Sequence, residues 1–156
     1  MPDGPRPPGL TYLAGFRIDV GTALAVTPPE QATRRIVPIT GGSVRGPEFT
    51  ATILPYGADF QTQRSPATTD LDARYALQTP TGELVFVTNT AVRSGAPEDI
   101  EALASGRRVP AESIYFRCCP QFTTDAPRWG FLNDRLFVGS GRRDPEQVVI
   151  DVWMVD

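Results

Sequence analysis

Short runs in which apolar and polar residues alternate, separated by turns, make up most of the chain beyond residue 9. This two-residue period is typical of half-buried β-strands, because successive side chains of a strand point to opposite faces of the sheet. The runs predicted as strands are 10–20, 23–26, 34–39, 43–45 (a short strand or a loop), 48–54, 70–79, 83–89, 114–119, 131–139 and 147–155. The pattern predicts an all-β domain, either a closed antiparallel barrel or a sandwich.

Turn and helix signals divide these runs. Residues 55–59 contain proline, glycine and aspartate and predict a turn. Residues 80–82, Pro-Thr-Gly, predict the turn of a hairpin. Residues 97–105 predict the one short helix, because Pro97 and acidic residues begin it and Gly106 follows it. Gly-Ser-Gly-Arg at 139–142 is a weak phosphate-loop signal, since it follows a strand without opening a helix, and a hairpin turn is the better interpretation. The Pro/Gly-rich residues 1–9 predict a flexible leader to a single domain over 10–156.

Composition excludes several kinds of chemistry. The 156 residues include no His, and all 15 basic residues are arginines. A serine–histidine relay, a histidine-held metal, a lysine Schiff base and a Walker lysine are therefore absent, which leaves Asp, Glu, Tyr or Cys for acid–base work. No cofactor and no metal are expected. The net charge of −3 gives no footprint for nucleic acid, and the absence of a long apolar run predicts a cytoplasmic protein without membrane contact.

Strand alternation leaves two questions about facing open. In 70–79, Asp72 and Arg74 share one face, and they form either a pair inside a barrel or a surface pair. In 114–119, Tyr115, Arg117 and Cys119 oppose Ile114, Phe116 and Cys118. The adjacent cysteines are therefore predicted to be one exposed and one buried thiol rather than a reactive pair.

Five segments resemble those of one protein family. They are PITGGSVRGP (38–47), LPYGADFQ (54–61), LDARYALQTPTGELVFVTN (71–89), YFRCCPQF (115–122) and WGFLNDRLFVGSGRR (129–143). In this order they resemble the DUF3237 (UPF0311) family. The resemblance implies a small single-domain β-barrel, similar in shape to calycin and allene-oxide-cyclase barrels, with an enclosed pocket. It also implies a cyclase or isomerase role near natural-product or aromatic metabolism, by analogy of fold alone.

The resemblance also implies a set of site residues. Asp59 and Gln61 are placed at the pocket mouth, with Phe60 where the family has Trp. Asp72, Arg74 and Tyr75 match an Asp-Ala-Arg-Tyr motif, and Tyr115, Phe116 and Arg117 match Tyr-Phe-Arg. Asn133 and Arg142 match further family positions, and the aromatic residues Phe122 and Trp129 are expected to line the core or the pocket.

Each of these residues also has an ordinary structural interpretation. Asp59 is the best candidate acid or base if a turn beside an aromatic residue desolvates it, but it could merely cap that turn. Asp72 is the second candidate, and Tyr75 and Tyr115 are candidate proton donors to an oxyanion that also fit a core. The remaining candidates bind substrate: Gln61, Arg74, Arg117, Phe60, Phe116, Phe122, Trp129, Asn133 and Arg142.

Three functions remain open at this point. The first is a cofactor-free isomerase, cyclase or lyase that acts on a small oxygenated metabolite. The second is a lipocalin-like carrier or sensor of a hydrophobic ligand, which needs no titrating residue. The third is an interaction module, which a cavity well under roughly 300 Å³ would favour. The substrate and a possible homo-oligomeric state are not predicted.

Overall fold

A computed structural model describes residues 4–156 and contains ten β-strands in one sheet. The strands are β1 (Leu10–Val20), β2 (Leu24–Val26), β3 (Thr33–Arg45), β4 (Thr50–Ile53), β5 (Gly57–Ser65), β6 (Thr68–Gln78), β7 (Leu84–Gly95), β8 (Ile114–Thr123), β9 (Phe137–Arg143) and β10 (Gln147–Val155). The paired strands are antiparallel throughout. The prediction of an all-β antiparallel fold is confirmed.

The sheet closes into a barrel because β1 pairs with both β10 and β3. Two positions in the ring are each occupied by two strands placed end to end. β4 and β5 both lie between β3 and β6, and β2 continues beyond β1 along β3. The ring therefore has 8 positions, and the predicted closed barrel is confirmed. A barrel of about this strand number has an interior that side chains can fill, or that can hold one small ligand.

Helical segments lie at both ends of the barrel. Helix α1 (Pro97–Ala104) follows β7, with Pro97 in its first turn and Ile100 and Leu103 buried, as the sequence predicts. Gly106, just beyond the helix, has a φ of 77°, which favours glycine. At the opposite end, the 3₁₀ segment Pro127–Asn133 was not predicted, and it buries Trp129 and Leu132. A second, three-residue 3₁₀ turn, Ala111–Ser113, precedes β8.

Three local predictions were wrong. Residues 57–65 form strand β5, so Asp59 lies within a strand and not in a turn. The predicted strand 131–139 is 3₁₀ helix up to Asn133, and strand β9 begins only at Phe137. Gly-Ser-Gly-Arg at 139–142 lies within β9 and is neither a hairpin turn nor a phosphate loop. Of the predicted leader 1–9, residues 1–3 lie outside the described residues, and residues 4–9 carry no helix or strand.

The interior of the barrel has two chemically different ends. Around the 3₁₀ segment Pro127–Asn133 the core is apolar, with Phe49 packed edge-on against Trp129 at 4.9 Å and Phe122 edge-on against Phe137 at 5.0 Å. We call this the apolar end. Beneath α1 the interior instead holds buried polar side chains, among them Gln61, Asn89 and Arg93, and we call this the polar end.

Candidate functional site

Strands β5, β6 and β7 bring the side chains of the polar end together. Asp59 lies opposite Ala73, and Ala73 lies opposite Asn89 on the next strand. One row further along, Gln61 lies opposite Leu71 and Leu71 opposite Ala91. The small side chains of Ala73 and Ala91 leave space between the polar residues, because a methyl group fills little of an inward-facing position.

Arg93 completes the cluster from the rim of β7. Thr69 lies opposite it on β6 and Phe116 opposite it on β8. Its guanidinium carbon lies 5.8 Å from the centre of the Phe116 ring, within the range of a cation–π contact. Gly141 of β9 makes room for that ring, because a Cβ at position 141 would lie 2.9 Å from three of its atoms.

Several polar atoms of the cluster have no partner among the described residues. Gln61 Nε2 donates to Asp59 Oδ2 at 2.8 Å, which leaves Asp59 Oδ1 without a hydrogen bond. Asn89 Oδ1, Arg93 Nε and Thr69 Oγ1 are also buried without partners. An unsatisfied buried polar group costs about 1–3 kcal/mol, so several in one place make this cluster a candidate site for bound water or for a polar group of a ligand.

Burial changes the acid–base properties of this cluster. Desolvation raises the pKa of Asp59 above its ordinary value of 3.8, although the hydrogen bond from Gln61 and the charge of Arg93 act in the opposite direction. Burial lowers the pKa of Arg93 to about 10, with Asp59 opposing that change. Arg93 stays cationic at neutral pH, while Asp59 is an acid whose proton is held more tightly than in water.

Two more arginines surround this cluster. Arg143, half-buried on β9, has its pKa lowered by burial. Arg35 lies opposite Gln61 on β3, and its charge and that of Arg143 both act to lower the pKa of Arg93. Three guanidinium groups therefore surround one carboxyl group, and the polar end attracts negative charge.

The enclosed space at the polar end is small. It measures about 40 Å³, which is well under the roughly 300 Å³ typical of ligand pockets and closer to the volume of a single water, about 30 Å³. The size criterion stated above therefore favours the interaction module. However, Val20, Val37 and Arg143 line both this cavity and an open groove of about 880 Å³ at the end of the barrel. The cavity is thus the inner part of a larger opening.

The structure brings three predicted site residues into this cavity: Asp59, Gln61 and Phe116. Sequence reasoning missed Thr69, Asn89, Arg93 and Arg143 as site residues. The sequence gives no clear signal for them, because residues 84–87 are apolar on both faces of the strand. The burial of Val85 and Val87 in the structure shows that Asn89 and Arg93 face inward.

The predicted carboxylate–arginine pair lies outside the barrel. Arg74 Nη2 is 3.2 Å from Asp72 Oδ2, with the two side chains 66% and 39% exposed. The surface alternative is therefore the correct one, since these residues alternate with the inward-facing Leu71 and Tyr75. An acid–base role for Asp72 inside a pocket and a substrate clamp at Arg74 do not fit this placement.

Four other predicted residues also face outward. Phe60 and Tyr115 are 46% and 56% exposed, and Arg117 stacks on the Tyr115 ring at 5.3 Å and donates to the Phe116 carbonyl. Arg142 is exposed and pairs with Asp144 at 3.3 Å. Phe60, Asp72, Tyr115 and Arg117 line an open groove of about 1090 Å³ on the outer wall. None of these four has a buried polar atom without a partner, so the placement corrects the prediction that they line an enclosed pocket.

The last four predicted residues serve the apolar end. Phe122 and Trp129 are packed in its core. Tyr75 is 6% exposed in the same core, and burial raises its pKa further above the ordinary value. Asn133 is bonded at 2.9 Å to both the backbone N–H and the carbonyl of Thr124. Packing accounts for Phe122, Trp129 and Tyr75, and backbone bonding for Asn133, and none of the four lines the cavity at the polar end. Trp129 Nε1 is nevertheless buried without a partner, and the charge of Asp59 acts on the pKa of Tyr75, so Tyr75 lies within electrostatic range of the polar end.

The cysteines lie as predicted on opposite faces. Cys118 is buried and Cys119 exposed, and neither is in a disulfide. Burial raises the pKa of Cys118 to about 11, so it is not a nucleophilic thiolate at neutral pH. Within residues 4–156, no helix is long and apolar enough to cross a membrane.

These features define a small closed β-barrel with a polar cavity at one end. The chain belongs to the DUF3237 family, whose model, described as a protein of unknown function, matches residues 8–155. It is 43% identical over 144 residues to a UPF0311 protein of Bradyrhizobium diazoefficiens, covering 92% of this chain and 94% of that one. The predicted family is confirmed.

Solved structures agree with this assignment. A conserved protein of unknown function from Rhodopseudomonas palustris superposes with a TM-score of 0.88 at 38% identity, over 96% of this chain and 99% of that one. A protein from Acinetobacter baumannii described as β-barrel like gives 0.84 at 34% identity, over 98% and 99%.

A more distant relative has a described activity. A hydroalkoxylation enzyme of Penicillium herquei is 30% identical over 87 residues, which is 56% of this chain and 58% of that enzyme. The crystal structure of an enzyme from the same organism gives a TM-score of 0.74 at 20% identity, over 100% of both chains. At that identity the superposition supports a common fold alone.

Proposed function

We propose that this protein is an enzyme that rearranges a small oxygenated molecule by moving a proton, and that its reaction is an isomerisation or cyclisation such as an intramolecular hydroalkoxylation. The observation that carries the proposal is that a half-buried acid, Asp59, and a buried cation, Arg93, line the same cavity and that each keeps an unpartnered polar atom. The distant similarity to a hydroalkoxylation enzyme supports the same reaction class.

The chemistry of hydroalkoxylation fits the groups at the polar end. The reaction adds an O–H bond across a C=C bond, so one proton moves from oxygen to carbon and no electrons are gained or lost overall. Arg93 stabilises the oxyanion that forms when the substrate hydroxyl loses its proton. Asp59 accepts that proton, the oxygen bonds to one carbon of the C=C bond as its π bond breaks, and Asp59 returns the proton to the other carbon. A raised pKa suits this exchange, because it makes the ionised carboxyl group a stronger base than an ordinary aspartate.

Gln61 and Asn89 have positioning roles in this scheme. Gln61 donates to Asp59 Oδ2, which fixes the carboxyl group with Oδ1 free. Asn89 Oδ1 is an unpartnered acceptor in the same cavity, and it suits a second substrate hydroxyl. Both residues orient groups and move no proton.

The two other functions predict different interiors. A carrier of a hydrophobic ligand fits the ten apolar residues among the fifteen that line this cavity, but it does not need the carboxyl group, two amides and two guanidinium groups among the others. An interaction module needs no cavity, and the 40 Å³ volume favours it. However, it gives no reason to keep unpartnered charged groups inside a barrel, since each is costly to bury.

A proton-exchange assay tests the proposal without knowledge of the natural substrate. 2-Allylphenol, other ortho-alkenyl phenols and cyclic 1,3-diketones are incubated in D₂O with the wild type. Proton NMR then follows both ring closure and deuterium uptake at carbon. Asp59→Asn should slow either process by about 10²- to 10⁴-fold. Asp72→Asn removes the neighbouring outward carboxylate and should stay within about twofold of the wild type.

Two results would count against the proposal. Equal losses in Asp59→Asn and Asp72→Asn would show that the inner carboxyl group has no special role. Wild-type exchange no faster than that in buffer across the panel, combined with binding of the same compounds, would favour the carrier.

A further inference from the structure

The open groove at the polar end is lined in part by carboxylates, which the proposed proton transfer does not use. Its lining comes from three segments: residues 19–23 between β1 and β2, residues 103–106 at the end of α1, and residues 143 and 145–147 at the β9–β10 turn. We call it the mouth groove. The mouth groove meets the inner cavity at Val20, Val37 and Arg143, because these three residues line both spaces.

The two spaces differ about twentyfold in size. The inner cavity of about 40 Å³ has room for little more than one water-sized group, about 30 Å³. The mouth groove of about 880 Å³ lies within the range of sites for small organic molecules, roughly 300–1,000 Å³. A molecule that reaches Arg93 therefore has only one small group inside, and the rest of it lies outside Val37.

The two spaces also differ in charge. Arg35, Arg93 and Arg143 surround the single carboxyl group of the inner end. The mouth groove contains Asp19 and Glu146, and the end of α1, whose final carbonyl groups carry the negative pole of the helix. Asp19 accepts one hydrogen bond, from Gln147 Nε2 at 2.9 Å, which fixes it on the groove wall. Negative charge is thus favoured inside, whereas at the mouth two carboxylates outnumber the one guanidinium group of the lining, that of Arg143.

Arg143 stands where the two spaces meet. It occupies an inward position of β9, in line with Phe137, Gly139 and Gly141, and is half-buried. One of its guanidinium nitrogens donates to the Asp144 carbonyl, so part of its hydrogen-bonding capacity is used by the backbone. The charge of Asp59 acts on its pKa, and the guanidinium group is therefore near the inner cavity rather than free in the groove.

We propose that the substrate binds in two parts: one acidic oxygen-bearing head lies in the inner cavity against Arg93, and a neutral, largely apolar body lies in the mouth groove. The substrate class is a phenol, an enol or a carboxylic acid that carries no second anionic group. This inference rests on the proposed function. Phosphorylated or coenzyme-A-linked molecules are disfavoured, because their anionic parts would lie beside Asp19 and Glu146, with Arg143 as the one opposing charge in the groove lining.

Three compounds test the contributions of the acidic head and of the apolar body to binding. Acetate supplies a head alone, 4-phenylbutyrate adds an apolar body, and 4-(4-carboxyphenyl)butyrate adds a second anion to that body. Binding to the wild type is measured by NMR titration at constant ionic strength. We expect 4-phenylbutyrate to bind about tenfold or more tightly than acetate, since its ring is removed from water. The second carboxylate should cancel most of that gain.

Substitutions test whether the tighter binding of 4-phenylbutyrate comes from contacts in the mouth groove. Thr22→Trp and Ala104→Trp fill the groove from opposite sides at exposed positions, and each should remove the advantage of 4-phenylbutyrate while leaving acetate binding unchanged. Thr52→Trp, on the exposed face of β4, is the matched control and should change neither. Arg93→Met should weaken both monoanions at least tenfold.

The outcomes distinguish this inference from the proposed function. If both groove variants bind 4-phenylbutyrate as the wild type does, while Arg93→Met still loses it, the two-part substrate is wrong and the proposed site stands. The inference is also wrong if the dicarboxylate binds as tightly as 4-phenylbutyrate, or if both groove variants lose acetate as well. If Arg93→Met binds every probe like the wild type, Arg93 does not bind anions and the proposed function is wrong.

Discussion

The two ends of the barrel interior are built from the same strands but satisfy their buried groups differently. At the apolar end, Trp129 and Phe122 fill the space with edge-on aromatic contacts. At the polar end, the half-buried Asp59 and the buried Asn89 and Arg93 keep polar atoms without partners, whereas the apolar end has one such atom among the described residues, Trp129 Nε1. Close packing stabilises the fold, whereas unpartnered polar groups reduce stability. The comparison indicates that the apolar end holds the barrel together and that the polar end is retained for binding.

The largest expected effect concerns the apolar end. Trp129→Ala should lower the free energy of unfolding by about 3–5 kcal/mol, because it removes a large buried side chain and leaves a cavity. Urea denaturation measures the change. Phe131→Ala, in the same 3₁₀ segment but 37% exposed, is the control and should cost much less. A loss below about 1 kcal/mol for Trp129→Ala would contradict the role assigned to this end.

Arg93→Met should affect ligand binding more than stability. It removes the charge that lowers the pKa of Asp59, but Asp59 can take up a proton in response. The free energy of unfolding should therefore fall by about 1–3 kcal/mol, less than for Trp129→Ala. The monoanion binding described above should nevertheless be lost. Arg74→Met on the outer wall should leave both unchanged. If Arg93→Met unfolds the protein as readily as Trp129→Ala does, Arg93 is structural and the contrast between the ends fails.

The third prediction concerns pH. The pKa of Asp59 is raised in the folded protein, so its protonated form stabilises the fold. That contribution is fully present below the ordinary value of 3.8 and is lost as the pH rises through the raised pKa. Asp59→Asn cannot titrate, so its stability relative to the wild type should increase as the pH rises from about 3.5 to 7.5. Parallel urea denaturations measure the difference, and the opposite slope would mean that Arg93 holds Asp59 ionised.

The smallest effect is expected outside the barrel. A double-mutant cycle with Asp72→Asn and Arg74→Met should give a coupling energy of about 0–1 kcal/mol, because both side chains are exposed and solvent screens their attraction. Thermal or urea denaturation of the four proteins measures it. A coupling above about 2 kcal/mol would show that the outer pair has more than a surface role.

The sequence predicted the strand faces more reliably than the site. Alternation over 70–79 correctly separated Leu71 and Tyr75 from Asp72 and Arg74, but it left open which face was inside. Alternation also separated Cys118 from Cys119, and the structure confirms the buried and the exposed thiol. Barrel closure could not be derived from any local pattern, because it depends on the distant pairing of β1 with β3 and β10.

The candidate site was predicted only in part, for two physical reasons. Pro55 and Gly57 resemble a turn, which hid strand β5 and placed Asp59 in the wrong local structure. Aromatic residues line both pockets and cores, so residue type alone could not show that Phe116 contacts Arg93 while Phe122 packs in the apolar end. Arg93 and Arg143 lie near strand ends, where a charged residue is ordinarily exposed, and only the closed barrel shows them directed inward.

The central claim is that Asp59 is a half-buried acid with a raised pKa in a site that recognises anions. Carbon-13 NMR of the aspartate side-chain carboxyl groups tests it most directly, with the Asp59 signal assigned by its absence from Asp59→Asn. The account predicts that Asp59 titrates above 3.8 and that 4-phenylbutyrate shifts its signal while leaving that of Asp72 unchanged. An Asp59 that titrates at or below that value, with no response to 4-phenylbutyrate, would contradict the account.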